Sequence, residues 1–346
     1  MAYSTISKPS LYFNTKLYTG NGSTQSITGV GFQPDWVWIK SRSNSTYHLL
    51  YDAVRGATKQ IYSNTTSAEG TDTNTLTSFD SDGFSLGADS GSGANINGYT
   101  QVAWNWLGAN GTASNSDGSI TSTVSANTTS GFSIVSYTGT GSNLTAGHGL
   151  GSVVKMFFVK ELSNANSWEV YHVSEGAGKN AQLNSNAAFE SAGSSRWNST
   201  APTSTTISIG TDSGVNRSSS NYIAYCFAEK KGYSKFGSYA GNGNANGPFA
   251  YTGFKPAFVI IKVSEGGTGD WQMYDNKRVG YNAANYRLKP SSDAAEATDE
   301  PIDILSNGFK LRTTGGSFNA SGDDYIYMAF AESPFVGSNF VPNNAR

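Results

Sequence analysis

Charge is scarce in this chain. Only 14% of its 346 residues are Asp, Glu, Lys or Arg, against about a quarter in an average globular protein. The formal net charge is −2 and no Lys/Arg run occurs, which argues against a nucleic-acid footprint. A single cysteine, Cys226, excludes an intramolecular disulfide. It sits in the apolar run Tyr222-Ile-Ala-Tyr-Cys-Phe-Ala228, where a small buried hydrophobe is expected. No apolar stretch reaches the roughly 18–20 residues of a membrane helix. The opening Met-Ala-Tyr-Ser-Thr-Ile-Ser-Lys-Pro has no apolar core of a signal peptide, so synthesis and folding in a cytoplasm are expected. Three histidines, His48, His148 and His172, stand in different contexts without metal-ligand spacing. No metal and no cofactor are expected.

Glycine (40 residues), Ser, Thr and Asn fill the place of charge, and aromatics reach 13%. Small polar residues suit turns, and aromatic and β-branched residues suit half-buried pleated surfaces. Short period-2 runs bounded by Gly, Asn and Pro read as strands. The expected fold class is all-β. One short helix is expected at 292–298, where Ala recurs at 294, 295 and 297.

Five landmarks recur three times in one order. Tyr18-Thr-Gly-Asn-Gly22 returns as Tyr137-Thr-Gly-Thr-Gly141 and Tyr239-Ala-Gly-Asn-Gly243. An apolar run ending in Lys follows, at Lys40, Lys160 and Lys262. Then come His48-Leu-Leu-Tyr-Asp52, Trp168-Glu-Val-Tyr-His172 and Trp271-Gln-Met-Tyr-Asp275. A short alternating run follows at 82–87, 206–210 and 307–311, and an aromatic strand closes each copy at 102–106, 223–227 and 326–330. The spacing predicts three tandem antiparallel β-sandwich domains, jelly-roll or immunoglobulin-like, at 1–108, 131–230 and 231–346. Residues 109–130 read as a linker that can hold one strand. The Trp36/Trp38 strand is apolar on both faces, whereas a sandwich strand needs one apolar face. A loop, a neighbouring domain or a second subunit must cover the other, and a homo-oligomer, a homotrimer above all, is expected.

Catalytic motifs are sparse. No Gly-x-Ser-x-Gly elbow and no phosphate-binding loop occurs, and Asp80-Ser-Asp-Gly83 reads as a turn rather than a calcium loop. No enzyme is expected; glycan cleavage by paired carboxylates is the lesser alternative. The ligand-binding candidates are Tyr51, Asp52 and Arg55 in the first copy and Trp271, Tyr274, Asp275 and Arg278 in the third. Aromatic faces with Asp and Arg suit sugar rings. The competing reading is a repeated core strand followed by an Arg–Asp pair that pins a turn; the middle copy lacks the Arg.

The strings Tyr18-Thr-Gly-Asn-Gly-Ser23, Gly31-Phe-Gln-Pro-Asp-Trp-Val-Trp-Ile-Lys40, Leu50-Tyr-Asp-Ala-Val-Arg-Gly56 and Ala103-Trp-Asn-Trp106 resemble a repeated domain of marine bacteriophage virion proteins. So do Ala329-Phe-Ala-Glu-Ser-Pro-Phe335 and the closing Val341-Pro-Asn-Asn-Ala-Arg346. Those proteins carry tail-fibre, receptor-binding and lectin-like labels. The resemblance implies a virion structural protein made in a host cytoplasm. A tail fibre or adhesin binding a host glycan or protein leads; a capsid decoration or tail connector protein without a ligand is the alternative. Its implied partners are other virion proteins.

Overall fold

A computed structural model describes residues 4–278 and 282–336; Gly280 and the closing 341–346 lie outside the described residues. Among the described residues the chain is nearly all-β, built of antiparallel sheets with two four-residue helices, Ser213–Asn216 and Gly316–Asn319. Its first unit holds nine strands: β1 (Phe13–Thr19), β2 (Gln25–Thr28), β3 (Trp36–Ser41), β4 (Leu49–Asp52), β5 (Lys59–Tyr62), β6 (Gly70–Thr71), β7 (Leu76–Asp80), β8 (Gly83–Leu86) and β9 (Thr100–Trp106). The large sheet runs β1-β9-β3-β4-β5-β6 and the small sheet β2-β8-β7. Between them lies a core of Ile27, Val37, Ile39, Tyr51, Phe84 and Leu86 with their neighbours. The other two units repeat the pattern. In the second, Phe132–Thr138, Asn221–Ala228, Val154–Glu161, Trp168–His172 and Lys179–Gln182 form the large sheet, faced by Leu144–Gly147 and Thr206–Ile209. In the third, Ser234–Ala240, Asp324–Pro334, Phe254–Glu265 and Gln272–Asp275 face Phe249–Tyr251, Gly308–Leu311 and Ile302–Leu305.

Alternation along β3 sends Val37 and Ile39 into the sandwich and Trp36, Trp38 and Lys40 to the opposite face. That second face is covered by the other two units of the same chain. The three large sheets meet in one shared core, stacked in three layers. Trp36 pairs with Trp106, Met156 with Phe227 and Phe258 with Phe330; above them Trp38 pairs with Trp104, Phe158 with Tyr225 and Ile260 with Met328; above those Lys40 pairs with Val102, Lys160 with Ile223 and Lys262 with Ile326. Rings interlock across units: Trp36 stacks on Tyr225 at 4.4 Å, Phe13 on Phe330 at 5.3 Å, and Phe227 meets Phe330 edge-on at 5.9 Å. Each such ring removed from water contributes about 1.5–3 kcal/mol, so separating the units would expose an extensive apolar surface drawn from all three. The apolar second face that suggested a homotrimer is thus satisfied within one chain and no longer argues for subunits.

Two local expectations are corrected. Residues 109–130 are not a linker. They carry two strands, Ala113–Asn115 and Ser122–Asn127, which extend the second unit's large sheet to eight strands. Val124 is buried there, and Ile120 bridges in parallel to Ala146 at the small sheet; a strand with few apolar residues suffices when neighbours supply the core. The expected helix at 292–298 is absent. Glu296 N donates to Arg42 O (2.8 Å) and Asp293 O accepts from Thr46 N (3.0 Å), so the segment lies extended against the first unit. Tertiary pairing outweighs the helix propensity of three alanines.

Candidate functional site

The candidate ligand residues are interior, which corrects the sequence reading. Tyr51, Asp52, Trp271 and Tyr274 are fully buried, Asp275 is 2% exposed and Arg278 6%; the Arg55 side chain is 3% exposed. The period-2 alternation also divides them. Tyr51 and Tyr274 point into their own sandwiches, where Tyr274 Oη donates to Glu300 O at 2.6 Å. Trp271 points into the shared core, and its Nε1 donates to Gln182 O of the second unit at 2.9 Å. No common surface collects them. The Asp–Arg pairs instead pin the seams between units.

In the first unit, Asp52 Oδ1 accepts from Val54 N (3.1 Å) and Arg55 N (2.9 Å). Its Oδ2 accepts from Arg55 Nε and from Tyr225 Oη of the second unit at 2.7 Å. Arg55 also reaches Leu50 O, Lys59 O and Glu69. Burial pulls the Arg55 pKa down, but Asp52, Tyr225 and Glu69 outweigh it and the net shift is upward. The third unit repeats this. Asp275 Oδ1 accepts from Lys277 N and Arg278 N at 2.9 Å each, and Oδ2 from Arg278 Nε at 2.6 Å and from Trp104 Nε1 of the first unit at 3.0 Å. In the second unit the position is His172, and the facing position in the third unit is Met328, which has no hydrogen to donate. His172 Nδ1 accepts from Ser174 N (3.2 Å) and Nε2 donates to Tyr327 O (3.3 Å). Burial pushes its pKa down to about 4, so it stays neutral where no counter-charge exists.

The seams form a closed cycle. Main-chain bonds run from Asn166 N to Thr66 O (2.7 Å), from Gly269 N to Asn186 O (2.9 Å) and from Thr46 N to Asp293 O (3.0 Å). A second set runs from Glu69 N to Leu162 O (3.0 Å), Phe189 N to Ser264 O (3.1 Å) and Glu296 N to Arg42 O (2.8 Å). Each unit therefore treats the next alike, as three subunits do about a threefold axis. The landmark lysines close the top of the shared core, fully buried. Lys160 Nζ donates to Thr66 O (3.1 Å) and Asn166 O (2.7 Å), and Lys262 Nζ to Asn186 O (3.0 Å) and Gly269 O. Lys40 Nζ stays within its own unit, on Ser41 O (2.8 Å) and Asn44 O (3.2 Å). Burial lowers their pKa values to about 8, 7 and 8 for Lys160, Lys262 and Lys40.

The Tyr-x-Gly-x-Gly landmark is also structural. The Oη of Tyr18, Tyr137 and Tyr239 donates to Ala94 O, Val215 O and Phe318 O at 2.6–2.8 Å. The residue after each of those carbonyls is a buried asparagine, Asn95, Asn216 or Asn319, whose main-chain O accepts from Gly22 N, Gly141 N or Gly243 N. These glycines need φ of +67°, +76° and +64°. The sequence signal for these asparagines is a fixed distance of each from the start of the closing strand: Asn95 before Thr100, Asn216 before Asn221, Asn319 before Asp324.

Asp82 accepts from Gly29 N (3.0 Å) and Gly31 N (2.7 Å), a turn as expected. Cys226 is buried, and burial pushes its thiol pKa up. Among the described residues no group of three or more His, Cys, Asp or Glu side chains is placed to hold a metal ion, and no helix is long and apolar enough to cross a membrane. A family model described as a domain of unknown function, DUF7483, matches residues 8–334. No curated protein and no solved structure matches the chain.

Proposed function

The chain belongs to the DUF7483 family, a family of unknown function, and we propose that it is a structural protein of a bacteriophage particle, in a tail fibre or adhesin. The observation that carries this reading is the closed cycle of three like units in one chain, joined by the same two main-chain bonds at every seam. Such a body presents three related sets of loops from one rigid β scaffold, and loops on rigid scaffolds are where recognition residues concentrate. The resemblance of the repeated strings to marine phage virion proteins supports the same reading. Weak contacts repeated on three units gain by avidity.

A capsid decoration or tail connector protein is the second reading. It is favoured by the burial of every side chain first assigned to a ligand, which leaves the threefold-like geometry itself as the feature to be matched. A particle reconstruction by electron microscopy separates the two. Density for this chain at the tail tip supports the first, density at a capsid or connector threefold position the second, and absence from the particle defeats both. Purified protein that slows phage adsorption to its host would add a recognition role.

A further inference from the structure

The three seams are alike in main-chain bonding but not in closure. Residues 109–130 tie the first unit to the second, and Lys230-Lys-Gly232 ties the second to the third. The third and first units are held by contacts alone. At the other two seams a tryptophan crosses: Trp168 Nε1 donates to Tyr62 O (2.8 Å) and Trp271 Nε1 to Gln182 O (2.9 Å). The equivalent residue at the third seam is His48, and the equivalent carbonyl belongs to Lys289. His48 is fully buried and accepts from Trp38 Nε1 through Nδ1 at 2.9 Å. Its Nε2 faces the main-chain carbonyl of Lys289, which favours a proton on the ring, but makes no hydrogen bond of good geometry with it. Lys40, unlike Lys160 and Lys262, makes no bond across its seam among the described residues. Nearby, Thr15 Oγ1 and Asn276 Oδ1 line a small cavity between the first and third units and are likewise buried without a partner.

We propose that the seam between the third and first units is an acid-sensitive latch, opened when His48 takes up a proton, while the other two seams remain closed. Protonation converts Nδ1 from acceptor to donor, so that two N–H groups, His48 Nδ1 and Trp38 Nε1, point at each other. It also places a positive charge among positive neighbours. Lys40 from the adjoining strand and Arg278 from the third unit both disfavour it. The acids on that side are already engaged: Asp275 with Arg278, Glu296 with Arg278 and Arg42, and Asp293 and Glu296 facing Lys40. A buried charge without a counter-ion is expensive, and the cheapest relief is to let water into the one seam that no chain segment bridges. Burial, with Lys40 and Arg278, outweighs the Lys289 carbonyl and holds the His48 pKa well below its ordinary 6.5. The folded chain therefore resists a proton that the opened one accepts. Latch stability is present above the ordinary histidine pKa and falls as pH drops below it.

Hydrogen–deuterium exchange on the full chain at pH 7 and pH 5, corrected for intrinsic rates, tests this. Peptides carrying the amides of Thr46 and Glu296 should exchange about tenfold faster at pH 5, an opening free energy lower by about 1.4 kcal/mol. Peptides carrying Glu69 and Asn166, or Phe189 and Gly269, should hold their protection. His48→Asn keeps an acceptor for Trp38 and cannot titrate, so it should abolish the acid response; His172→Asn should not. Equal loss at all three seams, loss confined to Phe189 and Gly269, no loss at all, or an acid response that survives His48→Asn would each overturn the proposal. Should His48→Asn not fold, the wild-type pattern across the three seams still decides.

Discussion

At one repeat position the first and second units differ, and the difference is explained by neither unit alone. Asp52 with Arg55 faces a donor, Tyr225 of the second unit; His172 faces the strand of the third unit at Met328, and takes a main-chain carbonyl instead. The third unit's Asp275 with Arg278 again faces a donor, Trp104 of the first. Polar residues at the seams are thus matched across units. A residue that looks like a degenerate copy within its own repeat is the correct partner for the next one.

The sharpest way to break that comparison is to remove the carboxylate. Asp52→Ala strands Arg55 in the interior, and loss of one partner of a buried pair costs about 3–5 kcal/mol. His172→Ala leaves no charge behind and should cost distinctly less. Urea midpoints of the two variants measure the contrast; equal losses would mean that the ion pair is not what distinguishes the seams.

Removing the donors instead of the acceptors should have a smaller effect. Tyr225→Phe deletes one charge-assisted bond to Asp52, worth about 1.5–3 kcal/mol. Met328→Phe deletes no such bond, so its cost should come from packing alone. Thermal unfolding of both variants checks this.

The third comparison sets the lysine layer against the carboxylates. Lys262 has a pKa near 7 in the folded chain against an ordinary 10.5. Between those values the unfolded chain holds a proton that the folded chain has shed, so stability from this residue rises with pH across that window. One unit of such a shift corresponds to about 1.4 kcal/mol. Unfolding free energies measured from pH 7 to 9.5 should therefore climb, and Lys262→Met should flatten the climb. An unchanged slope in the variant would show that Lys262 titrates normally in the fold.

The sequence alone determines the landmark strands, their turns and the threefold recurrence, but not the two strands within 109–130. These rest on period-2 alternation, on glycines at positive φ and on spacing along the chain, all of which are local. It also carries the signal that β3 has two apolar faces. What covers the second face was decided only in three dimensions, where three sheets of one chain bury it together. The same holds for Tyr51, Asp52, Arg55, Trp271, Tyr274, Asp275 and Arg278. An aromatic beside an Asp and an Arg has one spelling whether it meets a sugar or a neighbouring strand. Exposure separates the two, and exposure is a property of contacts between residues distant in sequence, such as Asp52 with Tyr225 and Asp275 with Trp104, where the dielectric of the surroundings settles which groups pair and which shed their charge.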